Sequence, residues 1–142
     1  IDHFKMRYRV VAVDQRGYGQ SSKPPLVADY SLPLLVKDIN DLIHALRYDS
    51  AVVIGHDTGG AVAWRLALSF PQSVHRLIVC SSPHPAAYSY LMKTSGEQRS
   101  KSWHTMFFQT PYIPEASIAC EDFQIFESEF WGAGGLRNKE NL

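Results

Sequence analysis

Ala51-Val52-Val53-Ile54-Gly55-His56-Asp57-Thr58-Gly59-Gly60-Ala61-Val62-Ala63-Trp64-Arg65-Leu66-Ala67-Leu68 decides the fold. Its opening is short, wholly apolar and β-branched, which reads as a strand because branched side chains pack well on a pleated surface. From Ala61 onward apolar residues continue nearly all round a helical repeat, which predicts a largely buried helix, and Pro71 ends it. Upstream, Leu34, Leu35, Ile39, Leu42, Ile43 and Leu46 recur at three and four, with Lys37, Asp38 and Asp41 between them, as in an amphipathic helix. Residues 7–14 mix alternation with a closing apolar run and read as a strand buried on one or both faces. Residues 15–33, punctuated by Gly17, Gly19, Ser21-Ser22 and Pro24-Pro25, read as loop. Residues 75–81 read as another strand.

Strand, helix, strand, helix, strand at this spacing requires parallel pairing with crossover helices, the middle of a doubly wound α/β sheet. After Pro83-His84-Pro85 the β-branched runs cease, and aromatic-rich helical stretches follow at 88–92, 103–108 and 123–130, before a glycine-rich loop at 132–140. The expected organisation is therefore a partial α/β core over residues 1–85 and part of a helical cap over 86–142. Ile1 in place of Met, with strand character a few residues on, reads as a chain whose start lies further upstream.

Lys plus Arg equals Asp plus Glu, 14 of each among 142 residues. Zero formal charge, with the basic residues scattered, speaks against an electrostatic grip on nucleic acid. Two cysteines, Cys80 and Cys120, make neither a disulfide scaffold nor a zinc site and fit a reducing compartment. Cys80, inside an apolar run, is expected to be a buried free thiol. No stretch approaches the ~18 consecutive apolar residues that span a bilayer. The compartment stays open between the cytoplasm and a membrane reached through a segment ahead of Ile1. Oligomeric state is not encoded here.

Gly55-His56-Asp57-Thr58-Gly59-Gly60 has a nucleophile-type residue between small ones, at a strand-to-helix turn. Such a turn lifts the central side chain above the sheet, and small residues at 55, 59 and 60 let strand and helix backbones approach. The backbone N–H of Thr58 is then an oxyanion donor, helped by the positive end of the helix. A serine at the centre would perform acyl transfer. Asp57 displaces at saturated carbon instead, giving an alkyl-enzyme ester that water cleaves at the aspartate carboxyl carbon. A plainer reading makes Asp57 a helix N-cap.

Together with Val13-Asp14-Gln15-Arg16-Gly17-Tyr18-Gly19-Gln20-Ser21-Ser22-Lys23-Pro24, Ser82-Pro83-His84-Pro85 and Phe107-Phe108-Gln109-Thr110-Pro111, this turn resembles the epoxide hydrolase branch of the α/β-hydrolase superfamily. The resemblance covers essentially the whole chain. It implies part of the α/β-hydrolase fold, with central parallel strands, crossover helices and part of a helical cap. It implies Asp57 as nucleophile, Thr58 as backbone oxyanion donor, a small apolar epoxide as substrate, and no cofactor or metal.

Two positions depart from the family pattern. Five residues before Gln109 the family commonly places a tyrosine that donates to the epoxide oxygen, and here stands His104. A histidine ring N–H is also a donor; the alternative is a solvent-edge histidine without a role. Thr58 stands where the family often has Trp. Trp103, Phe107 and Phe108 read as an apolar substrate wall or as cap packing. The Trp103-His104 pair also resembles lid donors of haloalkane or haloacetate dehalogenases, the alternative activity. The family's other oxyanion loop is expected ahead of Ile1, and its acid and base beyond Leu142, so residues 1–142 by themselves are expected to be inactive. A non-catalytic truncated product is the alternative from another class. His56 is expected to point away from the site and pack.

Overall fold

β1 (Ala51–His56) and β2 (Val74–Cys80) run parallel, paired from Val52 opposite Arg76 to His56 opposite Cys80. The ladder is irregular between Ala51 and Val52. Parallel neighbours cannot be joined by a tight turn, and the connection is α2 (Thr58–Ser69) followed by a short 3-10 turn, Pro71–Ser73. The computed structural model describes residues 1–120. The chain forms two compact units, Ile1–Ser89 and Tyr90–Leu142. The readings made for 123–130 and 132–140 lie outside the described residues.

The core of the first unit joins α2 to α1 (Leu32–Ala45) over one face of the sheet. Val36 and Ile43 from α1 meet Val62 and Leu66 from α2, with Ala51, Val53, Phe70 and Val74 packed around them. Leu66 and Val36 are fully buried. α2 buries one stripe and not its whole circumference: Leu68 is 55% exposed and Arg65 faces solvent. Among the described residues α1 and the sheet cover one side of α2, which leaves Leu68 on the other side exposed.

α1 ends in a Schellman motif, with Arg47 N–H donating to His44 O at 2.8 Å and Tyr48 N–H to Ile43 O at 3.2 Å. Arg47, at φ 65°, occupies the left-handed position that usually belongs to glycine. A buried polar pin ties α1 to the entry of β2: Ser73 Oγ, fully buried, donates to Asn40 Oδ1 at 2.7 Å. His44 Nε2 lies 3.4 Å from the same hydroxyl.

Three expectations change. Residues 7–14, expected as a strand, carry no strand ladder, and the described sheet has two strands. Their valines, Val10, Val11 and Val13, remain 37%, 48% and 43% exposed. Apolar patterning sets which residues favour extended backbone, but a strand exists only when a neighbour accepts its hydrogen bonds, and none does among the described residues. Second, among the described residues the sheet is covered on one face. Alternate residues Val52, Ile54 and Ile78 are 47%, 60% and 47% exposed, while Val53, Gly55 and Val79 turn to the helices. Third, Cys80 is an exposed free thiol because it lies on that open face, and His56, expected to pack, is exposed there as well. Cys120 is also free and exposed.

Residues 15–31 are loop apart from the 3-10 turn Val27–Tyr30, and α1 begins at Leu32, with Pro33, expected as loop, in its first turn. Arg16 braces this loop. Its guanidinium makes a fork to Asp38 (Nε to Oδ2 2.8 Å, Nη2 to Oδ1 2.7 Å) and donates from Nη1 to Asp29 O at 2.8 Å. The hydrogen bond to Asp38 holds the Arg16 guanidinium above its ordinary pKa. A cavity of about 250 Å³ lies between this loop and α1, lined by Val13, Arg16, Ser22, Leu35 and Ile39 among others.

α3 (Pro85–Thr94) begins in the first unit and ends in the second. There α4 (Gly96–Lys101), α5 (Trp103–Phe107) and α6 (Ile113–Ala119) follow in close succession. Ser95 caps α4, its hydroxyl accepting from Gln98 N–H at 3.2 Å. Arg99 Nη1 donates to the terminal carbonyls of α3, Met92 at 3.1 Å and Lys93 at 3.3 Å. No helix among the described residues is long and apolar enough to cross a membrane.

Candidate active site

Asp57 sits between β1 and α2 with φ 49° and ψ −118°, a backbone conformation that side-chain-bearing residues rarely adopt. Two hydrogen bonds hold it there. Asp57 N–H donates to Cys80 O at 3.2 Å, continuing the ladder by one residue, and Asp57 O accepts from Ala61 N–H at 3.1 Å, closing the first turn of α2. The carboxylate is exposed. Asp57 stands at the N-cap position but its side chain makes no capping hydrogen bond. The plainer reading of Asp57 as a helix cap therefore lacks its defining contact.

The neighbouring glycines show what fixes the turn. A Cβ on Gly55 would come within 2.5 Å of Gly59 O, 2.7 Å of Ala63 Cβ and 2.8 Å of Gly60 Cα. A Cβ on Gly60 would meet Ser82 Cβ at 2.5 Å. Strand and helix are thus packed backbone to backbone, and the Ser82 side chain of the segment after β2 closes on Gly60. Gly59 differs from the sequence expectation: among the described residues a Cβ there would meet Gln15 Nε2, at an ordinary 3.5 Å. The crowding falls on the side of α2 facing β1 and β2, and Gly59 faces away toward the loop that carries Gln15.

Thr58 opens α2, and its N–H, like those of Gly59 and Gly60, has no helical carbonyl behind it. Its side chain adds a contact that the motif did not reveal: Oγ1 donates to Asp57 Oδ2 at 3.2 Å. Gln15 is a second residue the sequence left unremarked, because its nearness to Gly59 depends on how the loop folds back. The segment after β2 is tied to α2 as well. Ser81 takes φ 53°, Trp64 Nε1 donates to Ser82 O at 3.2 Å, and the Trp64 ring meets His84 edge to face at 4.9 Å. His84 Nδ1 in turn accepts from Ala86 N–H at 3.2 Å.

The remaining site candidates lie in the second unit on and beside α5. His104 is half-buried, with its ring edge-on to Trp103 at 6.2 Å. Trp103 meets Phe107 at 5.7 Å, and Phe107 meets Phe108 at 5.4 Å. The chain Trp103–Phe107–Phe108 is continuous, while Trp103 and Phe108 keep 43% and 46% of their surface exposed. Asp57 and Thr58 are thus brought together in the first unit, and His104 with its aromatic neighbours in the second. Among the described residues no group of three His, Cys, Asp or Glu side chains is placed to hold a metal.

A glycine-packed turn between a parallel strand and its crossover helix, holding one reactive side chain in a strained conformation, defines a hydrolase class. The chain belongs to the α/β-hydrolase fold family, whose model matches residues 1–119. It is similar along its whole length to epoxide hydrolase 2 of Caenorhabditis elegans, at 38% identity, and covers 40% of that protein. It is 40% identical to human epoxide hydrolase 4 over 89% of the chain, covering 35% of the relative. Among solved structures, the Bacillus megaterium epoxide hydrolase in complex with an inhibitor superposes with a TM-score of 0.81 at 30% identity. That match covers 89% of this chain and 44% of the other. The chain spans about two-fifths of the length of the curated relatives it matches.

Proposed function

We propose that this chain carries the nucleophile of an epoxide-opening hydrolase, and that Asp57 forms the alkyl ester. The observation that carries the reading is a carboxylate, and not a hydroxyl, on a turn held at φ 49° with its side chain exposed and uncapped. One oxygen of Asp57 attacks an oxirane carbon, the carbon–oxygen bond of the ring breaks, and the ring oxygen keeps the electron pair and takes a proton. His104 is the proposed proton or hydrogen-bond donor, and Trp103, Phe107 and Phe108 the apolar wall for a small epoxide. Water then adds to the carboxyl carbon of Asp57 while the Thr58 N–H holds the oxyanion.

Activating that water needs a base held in place by an acid. Among the described residues no histidine is hydrogen-bonded to a carboxylate, and residues 1–142 by themselves are proposed to stop at the ester. The Trp103–His104 edge contact supports a second reading, a dehalogenase in which both rings donate to a leaving halide. Halide-dependent quenching of tryptophan fluorescence would favour it.

The test is intact-protein mass spectrometry after incubation with an aryl glycidyl ether. Because exposed thiols also open epoxides, Cys80 and Cys120 are first replaced by serine. One adduct is expected, located on Asp57 by peptide mapping and absent in Asp57→Asn. Labelling that persists in Asp57→Asn, or no labelling at all, would remove the proposal.

A further inference from the structure

We propose that the side-chain hydroxyl of Thr58, beside its backbone N–H, is a catalytic donor to the oxyanion that forms on Asp57 Oδ2 when the ester is cleaved. This rests on the reading of Asp57 as the nucleophile. The contact is Thr58 Oγ1 to Asp57 Oδ2 at 3.2 Å. Its origin is local. A threonine inside a helix can turn its hydroxyl back to a carbonyl one turn behind. Thr58 is the first residue of α2, with no helical turn behind it, so its hydroxyl turns to the carboxylate. The Asp57 backbone is held on both sides, by Cys80 O and by Ala61 N–H, which fixes where the two side chains start, and their torsions complete the approach.

The contact makes the two carboxylate oxygens unequal. Oδ2 is held, whereas Oδ1 makes no hydrogen bond among the described residues and is the oxygen free to attack. In the first step Oδ1 bonds to the oxirane carbon, the ring carbon–oxygen bond breaks, and the ring oxygen is protonated. Oδ2 is left as the ester carbonyl. When a nucleophile adds to the carboxyl carbon, the carbonyl π pair moves onto Oδ2, where the Thr58 hydroxyl already points. Collapse breaks the bond from that carbon to Oδ1, and the product alcohol leaves with a proton from the incoming nucleophile.

The change of charge supports such a role. The ester carbonyl is neutral and the oxyanion carries a full charge on Oδ2, so a hydrogen bond to that oxygen strengthens as the step proceeds, and an interaction that is stronger in the transition state than before it is what accelerates a step.

The two steps are read separately on the 142-residue chain carrying the two cysteine replacements. An aryl glycidyl ether forms the ester, excess reagent is removed, and hydroxylamine is added, so that no protein base is required. Hydroxylamine nitrogen bonds to the carboxyl carbon, the alcohol departs with Oδ1, and the hydroxamate on Asp57 is followed by mass. Thr58→Val, which keeps the shape and loses the donor, is expected to lower the rate of ester cleavage about tenfold relative to the rate of ester formation. Thr58→Ser restores the cleavage rate, and Thr58→Ala, which also removes the branch, behaves as Thr58→Val. Equal cleavage rates in Thr58→Val and the unaltered chain would overturn the proposal, as would a parallel slowing of both steps that Thr58→Ser does not rescue. If no ester forms on Asp57 in the unaltered chain, the reading of Asp57 falls and this proposal with it. Ester formation with indifferent Thr58 variants sinks this proposal alone.

Discussion

At the scale of single residues, the turn is governed by glycines that look alike in sequence and differ in space. Gly55 and Gly60 are pressed against backbone and Cβ atoms, whereas Gly59 meets only the tip of Gln15. Gly55→Ala drives a methyl into Gly59 O and Ala63 and is expected to lower stability by about 1–3 kcal/mol. Gly59→Ala lies in a helix with room for a Cβ, and is expected to be neutral or to stabilise by up to about 1 kcal/mol. Urea unfolding of both variants checks the pair, and equal losses would mean that Gly59 is crowded after all. The spacing of the motif announced the turn and its central carboxylate. It gave no sign of the Thr58 hydroxyl contact, which depends on one side-chain torsion, nor of Gln15, which arrives from a distant loop.

At the scale of elements, helices and strands with complete local signals were legible and those depending on distant partners were not. α1 and α2 carry apolar residues at helical spacing, and β1 and β2 are short branched runs bounded by turns, so each appears within a few residues of its expected place. Residues 9–13 have the same kind of composition but no ladder. Nothing in an isolated stretch reports whether a neighbour stands beside it. The end of α1 was equally hidden, since a Schellman turn closed by arginine has no glycine to announce it. Arg47→Gly removes the cost of a side chain at φ 65°, about 1–2 kcal/mol, against the greater chain entropy of glycine, about 0.5–1 kcal/mol. The expected outcome is a rise in the thermal midpoint of a few degrees, measured by far-ultraviolet circular dichroism. A fall would mean that Arg47 contributes more through contacts than its backbone costs.

At the scale of the whole molecule, the described sheet has a clothed face and an open one. Val53 belongs to the first, and Val52, Ile54 and Ile78 to the second. An open apolar face on a chain of zero formal charge favours self-association. Ile54→Thr is expected to change stability by no more than about 0.5 kcal/mol while lowering binding of a hydrophobic dye. Val53→Thr, which puts a hydroxyl against the helices, is expected to cost about 1–3 kcal/mol. Dye fluorescence and unfolding midpoints on the two variants separate the faces, and similar losses would show that the open face is covered in solution.

The turn at Asp57 has one more consequence. Its shape is set by Gly55, by Gly60 and by backbone bonds to Cys80 and Ala61, and none of these uses the aspartate side chain. The scaffold and the reagent it displays are therefore separable. Residue 57 is a socket, in which a different nucleophile would meet the same strained backbone and the same Thr58 N–H. Chemistry at such a socket is exchanged by changing one side chain, without redesigning the architecture that presents it.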